Sequence, residues 1–438
     1  MPPPRRLPAP KFELAHHTLD NGLRIVLAPD RSAPVVGIAV LYDVGIRSEP
    51  EGRTGFAHLF EHLMFQGSAN LDKLEHFRYV QSSGGTFNGS THFDYTNYFE
   101  ALPSNALERG LFLEADRMLS PRLTAENLAN QLDVVKNEIR VNVLNRPYGG
   151  FPWIYLPGLL FDSFANSHNG YGGFEDLESA TVDDAKDFFA RYYPPANAVL
   201  AVAGDLDVEE TIGLIEKHFA GLRKRRAPKR PSFAEPAMDA ERRDVHRDPH
   251  APIPAVAVGY RVADPVGRFD ELLAATVLCE VLTDGDASRL QRRLVQRDHL
   301  VTDIAAYIGE FGDPFDERDP TVLTVTAHYP DAGSLEAILK GVDEELDRIA
   351  SDGLERDELD RVRTRLASVL VRELDPVISR TLEFAKFELI HGRAELITEL
   401  PARLADLDEA AVRAAAAALR PDARAVLELV PAATGEQA

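Results

Sequence analysis

Residues 54–67 read Thr54-Gly55-Phe56-Ala57-His58-Leu59-Phe60-Glu61-His62-Leu63-Met64-Phe65-Gln66-Gly67. Apolar side chains fill most turns of a helix drawn on this stretch. Gly67 stands where a left-handed cap would end it. Three polar groups break the apolar run: His58, Glu61 and His62. Spacings of three and four put them on one face. Two imidazoles one turn apart can share a zinc ion, and a carboxylate beside them can activate a water on that ion. The plainer alternative is a polar patch on an apolar helix, facing a cleft or a partner, because short patterns recur by chance.

Around this helix the first half of the chain reads as α+β. Residues 23–27, after the turn Asp20-Asn21-Gly22, predict a strand. Residues 34–44 predict another, nearly all apolar and so buried on both faces. Residues 82–99 are rich in Thr, Phe and Tyr and read as two strands around a turn. Helices are expected over 106–118, 124–144, 181–193 and 208–219, with Thr181 as an N-cap. Residues 198–203 are a strand stopped by Gly204-Asp205.

Residues 222–236 are basic and Pro-rich, without apolar periodicity, and read as a solvated linker. Beyond them the first half is repeated in outline. Residues 255–261 predict a strand in the place of 36–42, and residues 269–282 a helix in the place of the His58 helix. Set Gly285 against Gly67, and His58, Glu61 and His62 become Thr276, Cys279 and Glu280, with no zinc pair left. A helix from 288 to 296, a strand over 321–328, long helices over 332–352 and 356–374, and a final helix and strand complete the pattern. The predicted fold is two related halves, each a mostly antiparallel sheet with helices packed on it. The bounds are 12–221, a linker at 222–245, and 246–433, with residues 1–11 a loose Pro- and Arg-rich arm.

Bulk composition agrees. A chain of 438 residues is too long for one ordinary core. Its apolar share of 45% is that of a globular protein, and no run is long enough to cross a bilayer. The opening Met-Pro-Pro-Pro-Arg-Arg has no apolar signal core, so a cytoplasmic location is expected. The lone Cys279 rules out an internal disulfide or a Cys-rich zinc knuckle, so a zinc site must use His and carboxylate ligands. A net charge of -22 speaks against nucleic acid as a partner and serves solubility.

A catalytic zinc usually has three protein ligands. The helix over 124–144 offers Glu126, Asp133 and Glu138 as the third. At this point the sequence resembles the inverzincin metallopeptidases, the group of pitrilysin, insulysin and the mitochondrial processing peptidase. Four stretches carry the likeness: the H-x-x-E-H of residues 58–62, residues 87–98 (FNGSTHFDYTNY), residues 134–138 (VVKNE) and residues 193–205 (YPPANAVLAVAGD). They span most of residues 20–220.

The resemblance implies His58, His62 and Glu138 as zinc ligands and Glu61 as general base. It also implies that the strand near Asn88 and Gly89 pairs with the substrate backbone, although Asn-Gly alone equally suggests a turn. Some members carry a further Glu where this chain has Gln131. In the family a distant half supplies an Arg and a Tyr that hold the substrate carbonyl. The nearest tyrosine here is Tyr329, and seven residues before it stands Val322 rather than Arg. The implied function is a zinc endopeptidase acting on short or unfolded peptides in a closed chamber. This chain resembles the zinc-bearing subunit of small two-chain members, with a homologous chain supplying the clamp as a heterodimer, or a second copy as a homodimer. The alternative is a non-catalytic binding or scaffold subunit of such a complex.

Overall fold

The computed structural model describes residues 11–432. Of the arm expected over 1–11, all but Lys11 lies outside the described residues, as does residue 433.

Two sheets frame the molecule. The first contains β1 (Ala15–Thr18), β2 (Arg24–Pro29), β3 (Val35–Tyr42), β4 (Thr86–Thr91), β5 (Thr96–Pro103) and β6 (Ala198–Gly204), in the order β1-β2-β6-β3-β5-β4. The second contains β7 (Arg242–Asp248), β8 (Ala255–Val262), β9 (Asp303–Ile308), β10 (Thr321–His328) and β11 (Arg424–Pro431), in the order β7-β11-β8-β10-β9. Leaving out β1, the two orders correspond strand for strand. In each, one pair is parallel, β2 with β6 and β7 with β11, and the following pairs are antiparallel. The expected α+β fold of two related halves is the observed one, and the repeat is one of topology.

The first half carries α1 (Phe56–Leu63), α2 (Glu75–Ser82), α3 (Leu107–Leu119), α4 (Ala125–Ile139), α5 (Leu156–Leu160), α6 (Phe164–Ser167), α7 (Phe174–Glu178), α8 (Val182–Tyr192) and α9 (Val208–Phe219). The second carries α10 (Phe269–Thr283), α11 (Leu335–Asp352), α12 (Arg356–Glu373), α13 (Val377–His391), α14 (Leu396–Asp406) and α15 (Glu409–Ala418). Thr181 caps α8 in a full capping box with Asp184.

Strand side chains alternate between faces. Ile25, Leu27, Ile38, Val40, Tyr42, Leu200 and Val202 pack with residues of α1, α3, α4, α8 and α9. Val26, Ala28, Ala39, Leu41, Val199, Ala201 and Ala203 point the other way and join the core of the second half. The element that covers this far face is α13, which crosses from the second half. That is why residues 34–44 are apolar throughout. The exchange is reciprocal: α5 lies on β8 and β11, its Leu156 and Leu160 packed with Ala257, Ala425 and Leu427. Gly259 makes room for it, since a Cβ there would stand 3.0 Å from Leu156 Cδ2.

Several local expectations change. The stretch expected as a solvated linker has no helix or strand from 223 to 241, but it is strapped down. Arg230 pairs with Asp43, Asp94 and Asp319, and Glu235 accepts the Asp162 and Ser163 amides. Strand β7 begins at Arg242, inside the stretch 222–245, because β11 offers it a parallel edge. The helix expected over 124–144 stays α-helical only to Ile139 and widens into a π-turn at Arg140–Leu144. A π-type segment, Gln291–Arg297, likewise stands where a helix was expected over 288–296.

Candidate metal centre

Helix α1 is shorter than the stretch that predicts it. It runs from Phe56 to Leu63, and Gly67, at φ +101°, lies past its end in the loop that follows. Its N-terminus is fixed by Glu49, which is buried. Glu49 Oε2 accepts Gly55 N–H at 2.9 Å and Oε1 accepts Ala57 N–H at 2.6 Å. A carboxylate there satisfies orphan amides and favours the positive end of the helix.

One turn apart on α1, the Nε2 atoms of His58 and His62 stand 3.3 Å from each other. Glu138, near the end of α4, brings Oε1 to 3.9 Å from His58 Nε2 and Oε2 to 3.6 Å from His62 Nε2. Tetrahedral ligands about 2.0–2.1 Å from zinc are about 3.3–3.4 Å apart, so the three groups fit one ion with little adjustment. Burial and mutual repulsion push the His58 imidazole down to about 3, and burial lowers His62. Both rings are therefore neutral at pH 7, with lone pairs free for a metal. His62 Nδ1 faces Gln131 Oε1 at 3.4 Å, so a neutral amide stands behind that ring. Glu126 and Asp133 do not enter this cluster.

Glu61 points from α1 toward β4, where Thr91 Oγ1 donates to its Oε2 at 2.7 Å. Burial pushes the Glu61 carboxyl up to about 7, against the Thr91 hydrogen bond. Asn88 and Gly89 lie within β4, paired with Phe99 and Tyr98, and not in a turn. The turn is at 92–95, since β4 ends only at Thr91. β4 is the outer strand of its sheet, so one of its backbone edges is unpaired there.

These groups share a cavity of about 600 Å³. Sequence reading missed several of its walls. Trp153 and Tyr171 come from the long stretch between α4 and α8, and Phe311 comes from the second half. Tyr171 OH donates to Glu138 Oε1 at 2.8 Å, and burial pushes its hydroxyl up to about 12. The only available signal was Tyr171 set among Gly170, Gly172 and Gly173.

Among its described residues the second half offers no equivalent. Thr276 Oγ1 donates to Leu272 O of its own helix, and Cys279 is buried. Among the described residues, the other cluster of potential ligands is His76, Glu100 and Glu114, where Arg117 already supplies the cation beside Glu114. Tyr329 is fully buried and donates to Glu428 Oε1 at 2.6 Å, and Val322 is packed in a core, so neither is placed as a substrate clamp.

An inverted His-x-x-Glu-His helix joined by a carboxylate from a later helix, on the first of two matching α+β halves, defines a class of metallopeptidase-like proteins. Residues 24–147 match the model described as Insulinase (Peptidase family M16), and residues 179–366 the model described as Peptidase M16 inactive domain. The chain belongs to the M16 family. A relative named Zinc protease PqqE, from Helicobacter pylori, is 29% identical over 91% of this chain and 88% of its own. The crystal structure of a protease from Helicobacter pylori superposes with a TM-score of 0.87 at 27% identity, over 96% of this chain and 100% of that one. A peptidase M16 inactive domain from Pseudomonas fluorescens shares the fold, with a TM-score of 0.84 at 17% identity over 96% and 98% of the two chains. No helix among the described residues is long and apolar enough to cross a membrane.

Proposed function

We propose that this chain is a zinc-dependent endopeptidase for short or unfolded peptides, with His58, His62 and Glu138 holding the metal and Glu61 moving the proton. The observation that carries the reading is the convergence of two neutral imidazoles and a carboxylate within reach of one ion, with a buried, elevated Glu61 beside them. The name borne by the Helicobacter pylori relative supports it.

Zinc bound there supplies a Lewis acid for the scissile carbonyl and acidifies water. The Glu61 carboxylate takes the proton of the attacking water and returns it to the departing amine. Thr91 fixes the direction in which Glu61 Oε2 faces. Asn88 and Gly89, on the outer strand along the cavity, add the peptide as a further strand through main-chain hydrogen bonds. Because Tyr329 is engaged by Glu428, a homologous partner chain, or a second copy, supplies the group that holds the substrate carbonyl and closes the chamber.

The test is zinc content and peptide cleavage for wild type and Glu61→Gln, each alone and with a homologous chain. The variant should keep one zinc per chain and lose cleavage by about 10²–10⁴-fold. Cleavage that survives the change would reject the role of Glu61. Zinc binding without cleavage in every pairing would favour a scaffold subunit.

A further inference from the structure

Resting on the zinc reading above, we propose that Tyr171 is a positioning residue for the metal: its hydroxyl, oriented by Asn142, holds Glu138 so that one carboxylate oxygen is left for the ion.

The three ligands are not equally constrained. His58 and His62 sit on α1, packed into the core through Leu59, Phe60 and Leu63. Glu138 stands near the end of α4 with its side chain 31% exposed, so left alone it would sample several rotamers. Tyr171 removes that freedom. Its hydroxyl donates to Glu138 Oε1, the oxygen 3.9 Å from His58 Nε2, and leaves Oε2, 3.6 Å from His62 Nε2, without that hydrogen bond. Asn142 Nδ2 donates to the same phenol oxygen at 3.3 Å, which directs the phenol proton to Glu138. Asn142 lies in the π-turn that follows Glu138, so the widened helix end has a local use here. The Tyr171 ring also meets His58 edge-on, at 5.3 Å between centroids, and so touches two of the three ligands.

The loop that carries Tyr171 is built to be still. Asn169 Oδ1 accepts the N–H groups of both Tyr171 and Gly172. Gly173 N–H donates to Thr54 Oγ1. The loop lies directly on the N-terminal end of α1. A Cβ at Gly55 would stand 2.3 Å from Tyr171 O, and one at Gly172 would stand 2.2 Å from Thr54 C and O. Both glycines have positive φ, at +78° and +67°. The tyrosine that orients the third ligand is thus indexed to the helix that carries the first two.

The experiment is zinc affinity by competition with a chromogenic chelator, on wild type, Tyr171→Phe and Asn142→Ala, with the melting temperature of the metal-free proteins as a control. Phe keeps the ring against His58 and Trp153 and removes only the hydroxyl. Tyr171→Phe should bind zinc about 10–100-fold more weakly, with an unchanged metal-free melting temperature. Asn142→Ala should move the same way by less. Tyr171→Phe with wild-type zinc affinity overturns the proposal, and so does unchanged affinity with lost turnover, which would put the hydroxyl on the substrate. Wild type that fails to bind zinc overturns the zinc reading itself, an outcome distinct from either.

Discussion

Gly37 of β3 faces Thr381 of α13 so closely that a Cβ on the glycine would lie 2.4 Å from the threonine Oγ1 and 3.1 Å from Val377 O. Thr381 Oγ1 is itself committed, donating to Val377 O at 2.6 Å, so it cannot simply turn away. Gly37→Val should therefore lift α13 from the first sheet and cost about 1–3 kcal/mol. Because α13 belongs to the second half and α5 covers part of the second sheet, both halves should lose stability together. Chemical denaturation followed by fluorescence and far-UV circular dichroism should show one transition at a lower midpoint. Two separated transitions would show that the exchanged helices do not couple the halves.

A second joint is electrostatic. Arg47 is almost fully buried between the halves, with Nη1 2.6 Å from Asp94 Oδ2 of the first and Nη2 2.7 Å from Glu317 Oε2 of the second. Asp94 is shared with Arg230 of the strap and with the Arg318 amide, and the arginines hold its carboxyl well below the usual range despite burial. Arg47→Met strips the compensating charge from Glu317 and should cost about 3–5 kcal/mol. Adding Glu317→Gln should recover part of the loss, since the burial of an unpaired carboxylate is what hurts. Equal stability of the single and double variants would argue against that cause.

These joints mark where the sequence was readable and where it was not. The motif helix and the strands at 34–44 and 198–203 announce themselves through period and composition, whereas Glu138 stands among three acidic candidates of its helix and only the family resemblance singles it out. Helix α13 does not, because it lies between a sheet and its own half and so has no plain polar face; Arg380, Thr381 and Lys386 are buried along with Phe384 and Phe387. Short α5 is apolar and Pro-containing, and what it covers is the pair β8 and β11, which lies in the second half of the chain. The strap reads as solvent-loving because Arg230 meets its acidic partners, Asp43 and Asp319, only in the folded chain. Tyr171 and Phe311 reach the cavity by tertiary placement, and no local spacing marks a loop residue as the hydrogen-bond partner of a distant carboxylate.

The buffer behind α1 should make stability depend on pH. His168 Nδ1 lies 2.7 Å from Phe164 O, which can only accept, so that nitrogen carries a proton. Its Nε2 lies 3.0 Å from Glu49 Oε2, so a second proton must sit between ring and carboxylate. Burial opposes the imidazolium, but the Glu49 hydrogen bond and charge outweigh it and raise His168, while burial raises Glu49. The folded protein thus keeps a proton that the unfolded chain releases earlier. The stabilisation is fully present below about pH 6.5 and is lost as pH rises through the higher folded value. His168→Gln, measured with a chelator present, should be less stable than wild type by about 1.5–3 kcal/mol at pH 6, with the gap narrowing as pH rises. A gap that widens with pH would place the proton elsewhere.

Thr91 closes β4 where the strand meets the cavity, and its hydroxyl donates a hydrogen bond to Glu61 Oε2. Val has nearly the same shape and is at home in a strand, so Thr91→Val should leave the sheet and the zinc content as they are. What it removes is a hydrogen bond to a carboxylate, worth about 1.5–3 kcal/mol. If that bond holds Glu61 in line with the attacking water, its loss should appear in kcat as a drop of about 10–100-fold, with KM little changed. A raised KM at constant kcat would instead mean that Thr91 touches the peptide. The distinction matters because β4 is proposed to do two things at once: its backbone edge takes the substrate strand at Asn88 and Gly89, while the side chain two residues on aims the base. A variant that affects only the second of these would separate binding from proton transfer on a single strand.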